Sequence, residues 1–144
     1  MATWTIYTKF KKAQLDGSGV IQFGTDTLKI LLTTVTYVPA QDTDANLTNV
    51  TNEVAGTNYA AGGIALTGVT VTASVHTIIV NSNDITWSQS GTGFNNARIA
   101  VLYKRTGVAG TSLLIAYADL GGSLGNVFGD LTLQINANNI FTLV

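Results

Sequence analysis

Ala97-Arg98-Ile99-Ala100-Val101-Leu102-Tyr103 and Leu113-Leu114-Ile115-Ala116-Tyr117-Ala118-Asp119-Leu120 are the longest apolar runs in the sequence. Each has the length of a strand, and Gly- and Thr-containing segments bound them. A run that is apolar at nearly every position, not at every second one, predicts a strand buried on both faces. The link 104–112 is short, so the two runs are expected side by side in the middle of the core.

Outward from this pair the pattern changes to half-buried strands. Val69, Val71, Ala73 and Val75 alternate with Thr70, Thr72 and Ser74, which predicts one apolar and one wet face. Residues 27–38 are rich in β-branched side chains and end at Pro39, the pattern of a long strand. Shorter strands are expected over 20–23, 78–80, 84–87, 131–135 and 140–144, with a loop at 88–96 and turns at 121–125 and 136–139. In residues 4–15, Tyr7, Phe10 and Leu15 have near-helical spacing before the stop signal Asp16-Gly17-Ser18-Gly19. A short helix follows from that, with Lys9, Lys11 and Lys12 on its wet side. The polar stretch 40–58 is expected as a loop holding a turn of helix around 47–52. Together these elements predict a mainly β fold, a single antiparallel β-sandwich or jelly roll over 1–144 with one short N-terminal helix.

Composition narrows the function. Only 10% of the 144 residues are charged and the net charge is −1, against about 25% charged in an ordinary soluble domain. Between Val54 and Ala97 the sole formal charge is Asp84, so a largely strand-forming region lacks the charges that usually guard exposed edges. Two readings account for such a surface: Thr, Asn, Ser and Gly solvate it adequately, or copies of the chain or a partner cover it, as in charge-depleted interface cores. The few cations argue against nucleic acid as a partner. With no cysteine in the chain, thiolate catalysis and Cys-ligated metals are excluded. The residues after Met1 carry no basic n-region or apolar h-region, so no signal peptide is expected. No apolar run approaches the roughly 20 residues that span a bilayer, so no membrane association is expected.

Few residues invite chemistry. Asp42, Asp44, Asn46 and Glu53 reproduce the oxygen spacing of a calcium loop, although Leu47 stands where the sharp turn of an EF-hand takes Gly. They form the one candidate metal set, and no cofactor is expected. His76 is the only histidine, and its parity with Thr70, Thr72 and Ser74 places it on the solvent side or in a turn. Asp84, Asp119 and Asp130 have no spacing that singles out a glycosidase pair. Trp87, Tyr103 and Tyr117 would suit a sugar-stacking surface if exposed, although aromatics in strand runs are usually core. Asn46-Leu47-Thr48 and Asn49-Val50-Thr51 match the glycosylation pattern but are read as features of a Thr- and Asn-rich loop. No residue set is expected to be catalytic, and the chain is read as not an enzyme.

Phe10-Lys11-Lys12 through Leu15-Asp16-Gly17, Asp26-Thr27-Leu28-Lys29-Ile30-Leu31-Leu32 with Tyr37-Val38-Pro39, and Asn52-Glu53-Val54-Ala55-Gly56 through Gly62-Gly63 follow in an order that resembles a family of small virion proteins of tailed bacteriophages. Ala65-Leu66-Thr67-Gly68-Val69-Thr70-Val71, Asp84-Ile85-Thr86-Trp87, the run from Ala97 to Tyr103 and Leu114-Ile115-Ala116-Tyr117 complete it. The loop 88–96 and the stretch 121–129 depart from the family pattern. The resemblance implies a non-enzymatic capsid decoration (cement) protein, made in the host cytoplasm and carried on the virion surface. Its implied partners are itself, as a dimer or trimer, and the major capsid protein, with contacts from residues 4–15 or the loop 40–58. The alternative is a tail-associated or receptor-binding module that recognises host-surface glycan through exposed aromatics.

Overall fold

The computed structural model describes residues 3–135 and 139–143. In chain order the elements are β1 (Trp4–Ile6), α1 (Thr8–Asp16), β2 (Leu28–Thr33), β3 (Ile64–Ala65), β4 (Thr70–Ser74), β5 (Thr77–Asn81), β6 (Ile85–Trp87), β7 (Ala97–Lys104), β8 (Leu114–Leu124), β9 (Leu131–Leu133) and β10 (Phe141–Leu143). Short 3-10 turns occupy Leu47–Asn49 and Ala109–Thr111. Of the turn expected at 136–139, all but Asn139 lies outside the described residues, as does Val144.

The two apolar runs are antiparallel neighbours at the centre of a five-stranded sheet ordered β1-β8-β7-β2-β3. From Ile99 to Tyr103 every residue of β7 is buried, as are four of the first five residues of β8, so both faces of this sheet need cover. A three-stranded sheet, β10-β5-β4, forms the second layer of the β-sandwich, and β6 pairs with β9 in a small ribbon. Register shows which face the second layer covers. Ile6, Ala116, Leu102 and Ile30 form one cross-strand row, and Ile6 lines a groove with Val80, Phe141 and Leu143 of the smaller sheet. On the opposite face Tyr117 meets the Tyr7 ring with centroids 5.0 Å apart, and the Tyr103 hydroxyl donates to the Gly62 carbonyl at 2.7 Å. Loops therefore cover that side.

The N-terminal helix forms, but later than its expected start. Residues 4–6 are strand β1, and α1 ends at Gly17, whose φ of 74° is the left-handed cap the Asp16-Gly17 signal predicts. Phe10 and Ala13 face the core, whereas Leu15 is exposed. At 100° per residue Leu15 lies about 140° around the helix from Phe10, so the two cannot share a buried stripe. Lys9, Lys11 and Lys12 are exposed as expected, and Lys12 pairs with Asp16.

Three other boundaries differ from the sequence pattern, each for a tertiary reason. The strand expected over 27–38 stops at Thr33 because the chain turns there: Thr34 N–H donates to Asn52 and Tyr37 N–H to the Thr34 carbonyl. That turn sends the Tyr37 phenol inward, where it donates to Asp44 at 2.9 Å and accepts from the Tyr7 hydroxyl at 2.9 Å. Burial, first, raises the pKa values of both phenols well above the ordinary range; donation to Tyr37 adds to the shift of Tyr7, and for Tyr37 donation to Asp44 adds to it while the bond accepted from Tyr7 opposes it. Residues 20–23 form no strand, since the Gln14 side chain takes up the backbone there, accepting from Ile21 N–H and donating to the Gly19 carbonyl. The expected turn at 121–125 is strand as far as Leu124. Gly121, at φ 82°, sits in a bulge that shifts the register between the Ile99–Asp119 and Ala97–Leu124 pairs.

A buried side chain anchors the loop 88–96. Asn126 is completely buried; its Nδ2 donates to the Ser88 carbonyl at 2.8 Å and the Thr57 carbonyl at 3.2 Å, while its Oδ1 accepts from Phe94 N–H at 2.9 Å. Three loops thus meet on one amide. Glycines make the approach possible, because a Cβ on Gly93 would stand 1.9 Å from the Asn126 Oδ1 and one on Gly125 would stand 1.9 Å from the Phe94 carbonyl oxygen. Removing the amide would leave the Phe94 N–H and two carbonyls without these partners, at about 1–3 kcal/mol for each that stays out of water. Asn126→Ala is accordingly expected to lower unfolding stability in urea by ~3 kcal/mol or more, whereas Asn96→Ala, at an exposed position of the same loop, is expected to stay within ~0.5 kcal/mol of the parent.

Candidate interaction surface

The oxygen-bearing residues of the 42–53 loop are occupied by separate internal tasks. Asp42 accepts from the Thr8 hydroxyl at 2.6 Å, next to the start of α1. Asp44 is buried and accepts from Tyr37 and from Ala40 N–H. Asn46 caps the Leu47–Asn49 turn, with Asn49 returning the bond to the Asn46 backbone. Glu53 accepts from the Tyr59 hydroxyl at 2.7 Å and from Gly62 N–H at 2.6 Å. Burial, first, and the Glu53 charge push the Tyr59 phenol far up, beyond its ordinary range. Among the described residues no three His, Asp or Glu side chains gather in a metal-binding group. The calcium-like spacing is thus spent on holding one loop to three elements.

The remaining acids and aromatics are likewise dispersed. Asp84 accepts from Ile135 N–H at 2.7 Å, and Asp130 from Gln89 N–H at 2.7 Å. Asp119 pairs with Arg98 through two bonds of 2.6 and 3.0 Å, and that guanidinium lowers its carboxyl pKa. Each of these carboxylates has its own partner. Trp87 is buried, stacked near Tyr59 and edge-on to Phe94. Tyr103 is buried and Tyr117 half-buried against Tyr7, so Trp87, Tyr103 and Tyr117 form no exposed platform for sugar. His76 stands exposed at the tip of the β4–β5 hairpin, with φ 61°.

What the structure does expose is apolar sheet. Cross-strand register stacks Val71, Val80 and Phe141 in one row and Ala73, Ile78 and Leu143 in the next, and both rows point to the same face. The inner row is largely covered: Val80 and Phe141 are buried, and Phe10, Phe23 and Phe141 contact one another edge-on at 5.8–6.2 Å. Val71, at the β4 end of this row, and the outer row run past that cover. Ile78 is 42% exposed, Leu143 45% and Val71 53%, and Val75 at the hairpin tip reaches 83%. Leu15, at 89%, overhangs the same region from α1. Between helix and sheet lies an open groove of about 410 Å³ whose lining is apolar, including the stems of Lys11 and Gln14.

The strand expected to be half-buried is therefore exposed along its whole length, with every residue from Thr70 to Ser74 accessible. The alternation of Val71 and Ala73 correctly identifies an apolar face, but the described residues supply no layer over its outer half. A period-2 pattern reports which side chains share a face and is silent on whether that face is covered. Ile78, Leu143 and Leu15 belong to this surface as well. Full burial of one Val, Leu or Ile is worth ~1.5–3 kcal/mol, so this group offers several kcal/mol to whatever covers it.

The N-terminal segment has a different role. Trp4–Ile6 pairs with Ala116–Ala118, and Tyr7 and Phe10 are core residues, so most of residues 4–15 serve the fold. No protein-family model, no curated protein and no solved structure matches this chain. No helix among the described residues is long and apolar enough to cross a membrane.

Two expected outcomes separate covered from uncovered positions. Phe10→Ala should cost ~3–5 kcal/mol in a denaturant melt, and Leu15→Gln should remain within ~0.5 kcal/mol of the parent. Because the loop oxygens are already hydrogen-bonded within the chain, millimolar calcium should leave the thermal midpoint where EDTA leaves it in a scanning calorimeter.

Proposed function

We propose that this chain is a non-enzymatic structural protein of a tailed-phage particle, a capsid decoration protein that adheres to the lattice of the major capsid protein. The observation that carries this reading is the open apolar face of β4, β5 and β10, set in a region that is almost free of charge. Freely diffusing proteins seldom leave such a face bare and unguarded. A lattice offers the same contact many times over, so each contact can be modest while the assembly is held firmly. The resemblance of segments 10–17, 26–32, 37–39, 52–63, 65–71, 84–87, 97–103 and 114–121 to small virion proteins supports the same reading.

The polar complement fits this role. Thr70, Thr72 and Thr142 occupy the reverse side of the small sheet, exposed, which keeps the protein in solution before it docks. The contact surface on this reading is the face formed by Val71, Ile78 and Leu143, in place of residues 4–15 or the loop 40–58. Mixing the purified chain with undecorated phage heads and sedimenting them should bring it down in a saturable ratio to the capsid protein. The triple variant Val71→Ser, Ile78→Ser, Leu143→Ser should remain folded by circular dichroism and bind heads far more weakly. A folded parent that stays wholly in the supernatant would overturn the decoration role.

A further inference from the structure

We propose that two copies of this chain join through β4, in antiparallel register about a two-fold axis at Thr72, and fuse their small sheets into one sheet of six strands. β4 is an edge strand: in the order β10-β5-β4 it has a neighbour on one side only. Its free side is undefended. Thr70-Val71-Thr72-Ala73-Ser74 contains no charge and no proline, pairs with β5 without a register shift, and is exposed at every residue. Natural edges carry at least one of these devices when they are meant to stay single.

Hydrogen-bond alternation fixes the register. Ser74 and Thr77 close a two-residue loop, and the closing pair of such a hairpin is hydrogen-bonded. The positions that share the parity of Ser74, namely Thr72 and Thr70, therefore turn their backbone groups toward β5, while Val71 and Ala73 turn theirs outward. No backbone partner outside β5 engages Val71 or Ala73 among the described residues. Two antiparallel β4 strands centred on Thr72 place Val71 opposite the second copy's Ala73, and the reverse, so the outward N–H groups and carbonyls of each copy meet their complements. The side chains agree with this register. Val71 and Ala73 join the exposed apolar rows of the two copies on one face, and Thr70, Thr72 and Ser74 form a hydroxyl ladder on the other. No charge opposes itself across the axis. A five-residue edge is small beside the ~1,200 Å² of a lasting interface, so the free pair is concentration-dependent and gains strength where a lattice holds the copies together.

The absence of cysteine makes the register directly testable. Across the axis Thr72 faces its own copy as a non-hydrogen-bonded pair with Cα atoms about 4.5 Å apart, within disulfide range. Thr70 lies on the same wet face but about 14 Å from its own copy in this register, beyond that range. Under mild oxidation, Thr72→Cys should yield a covalent dimer about tenfold or more faster than Thr70→Cys. Equal rates, or no crosslinking in either, would overturn the register. Charge gives an independent readout. Thr72→Lys and Thr72→Asp alone should remain at the monomer mass of 15.1 kDa at concentrations where the parent's average mass rises toward twice that value, and an equal mixture should recover the rise. A parent that stays monomeric throughout, or a Thr72→Lys chain that associates like the parent, would overturn the pairing. So would association lost in Leu143→Lys but untouched in Thr72→Lys, which would mean that copies meet through the apolar face. All of these measurements use the isolated chain, so they stand or fall apart from binding to heads.

Discussion

A sheet that is apolar on both faces must be covered twice, and this requirement governs the whole molecule. β7 and β8 cannot be left with either side in water, and their neighbours β2 and β1 extend the same demand. One face is met by loops that bring tyrosines: Tyr7 against Tyr117, Tyr37 behind Tyr7, and Gly62 under the Tyr103 hydroxyl. The other receives the small sheet, wedged by Phe10, Phe23 and Phe141. A nine-residue helix and three short strands are a narrow cover. They cover Val80 and Phe141 of the small sheet's own apolar face and leave Val71 and the outer row bare. The exposed apolar positions thus follow from how narrow that cover is.

Most of the architecture was legible in the residues because burial on two faces and on one face leave different periods. The continuous runs at 97–103 and 113–120 became the sheet centre, and the alternating run around 69–75 became a strand with its apolar residues on one side. Boundaries were less legible, since polar side chains remote in sequence decide them. The turn after Thr33 depends on Tyr37 reaching Asp44 and Tyr7, and the unpaired path of 20–23 depends on the Gln14 amide. Neither partner can be inferred from a local window. Leu15 shows the same difficulty within a helix, because a five-residue spacing from Phe10 reads as near-periodic yet points to solvent.

The candidate surface was half visible. Charge depletion between Val54 and Ala97 located it, and the Val71–Ala73 parity gave its face. Its exposure was hidden, because cover is a property of the other layers. The opposite error awaited the 42–53 loop, where acids at calcium-like spacing proved to be structural acceptors. Spacing alone does not distinguish an oxygen that waits for a cation from one that already holds Tyr37, Thr8 or Gly62. The Asn126 clasp left a faint trace in the sequence, the glycines at 56, 93 and 125. Their necessity lies in close approach: a Cβ would meet the Gly93 backbone at Gly56, the Asn126 side chain at Gly93 and the Phe94 backbone at Gly125.

The pairing of the first strand with β8 and of the last with β5 also dictates when the fold can close. Trp4 waits for Ala118, and Phe10 and Val80 wait for Phe141, so the two ends of the chain complete each other's packing. Contacts so distant in sequence make for slow folding. During synthesis the central strands emerge before β10, which pairs with β5, so this layer of the sandwich closes only after β10 has emerged. The apolar face shared by β5 and β10 is completed in that same step. A nascent chain therefore presents Val80 without its Phe141 neighbour until β10 is made.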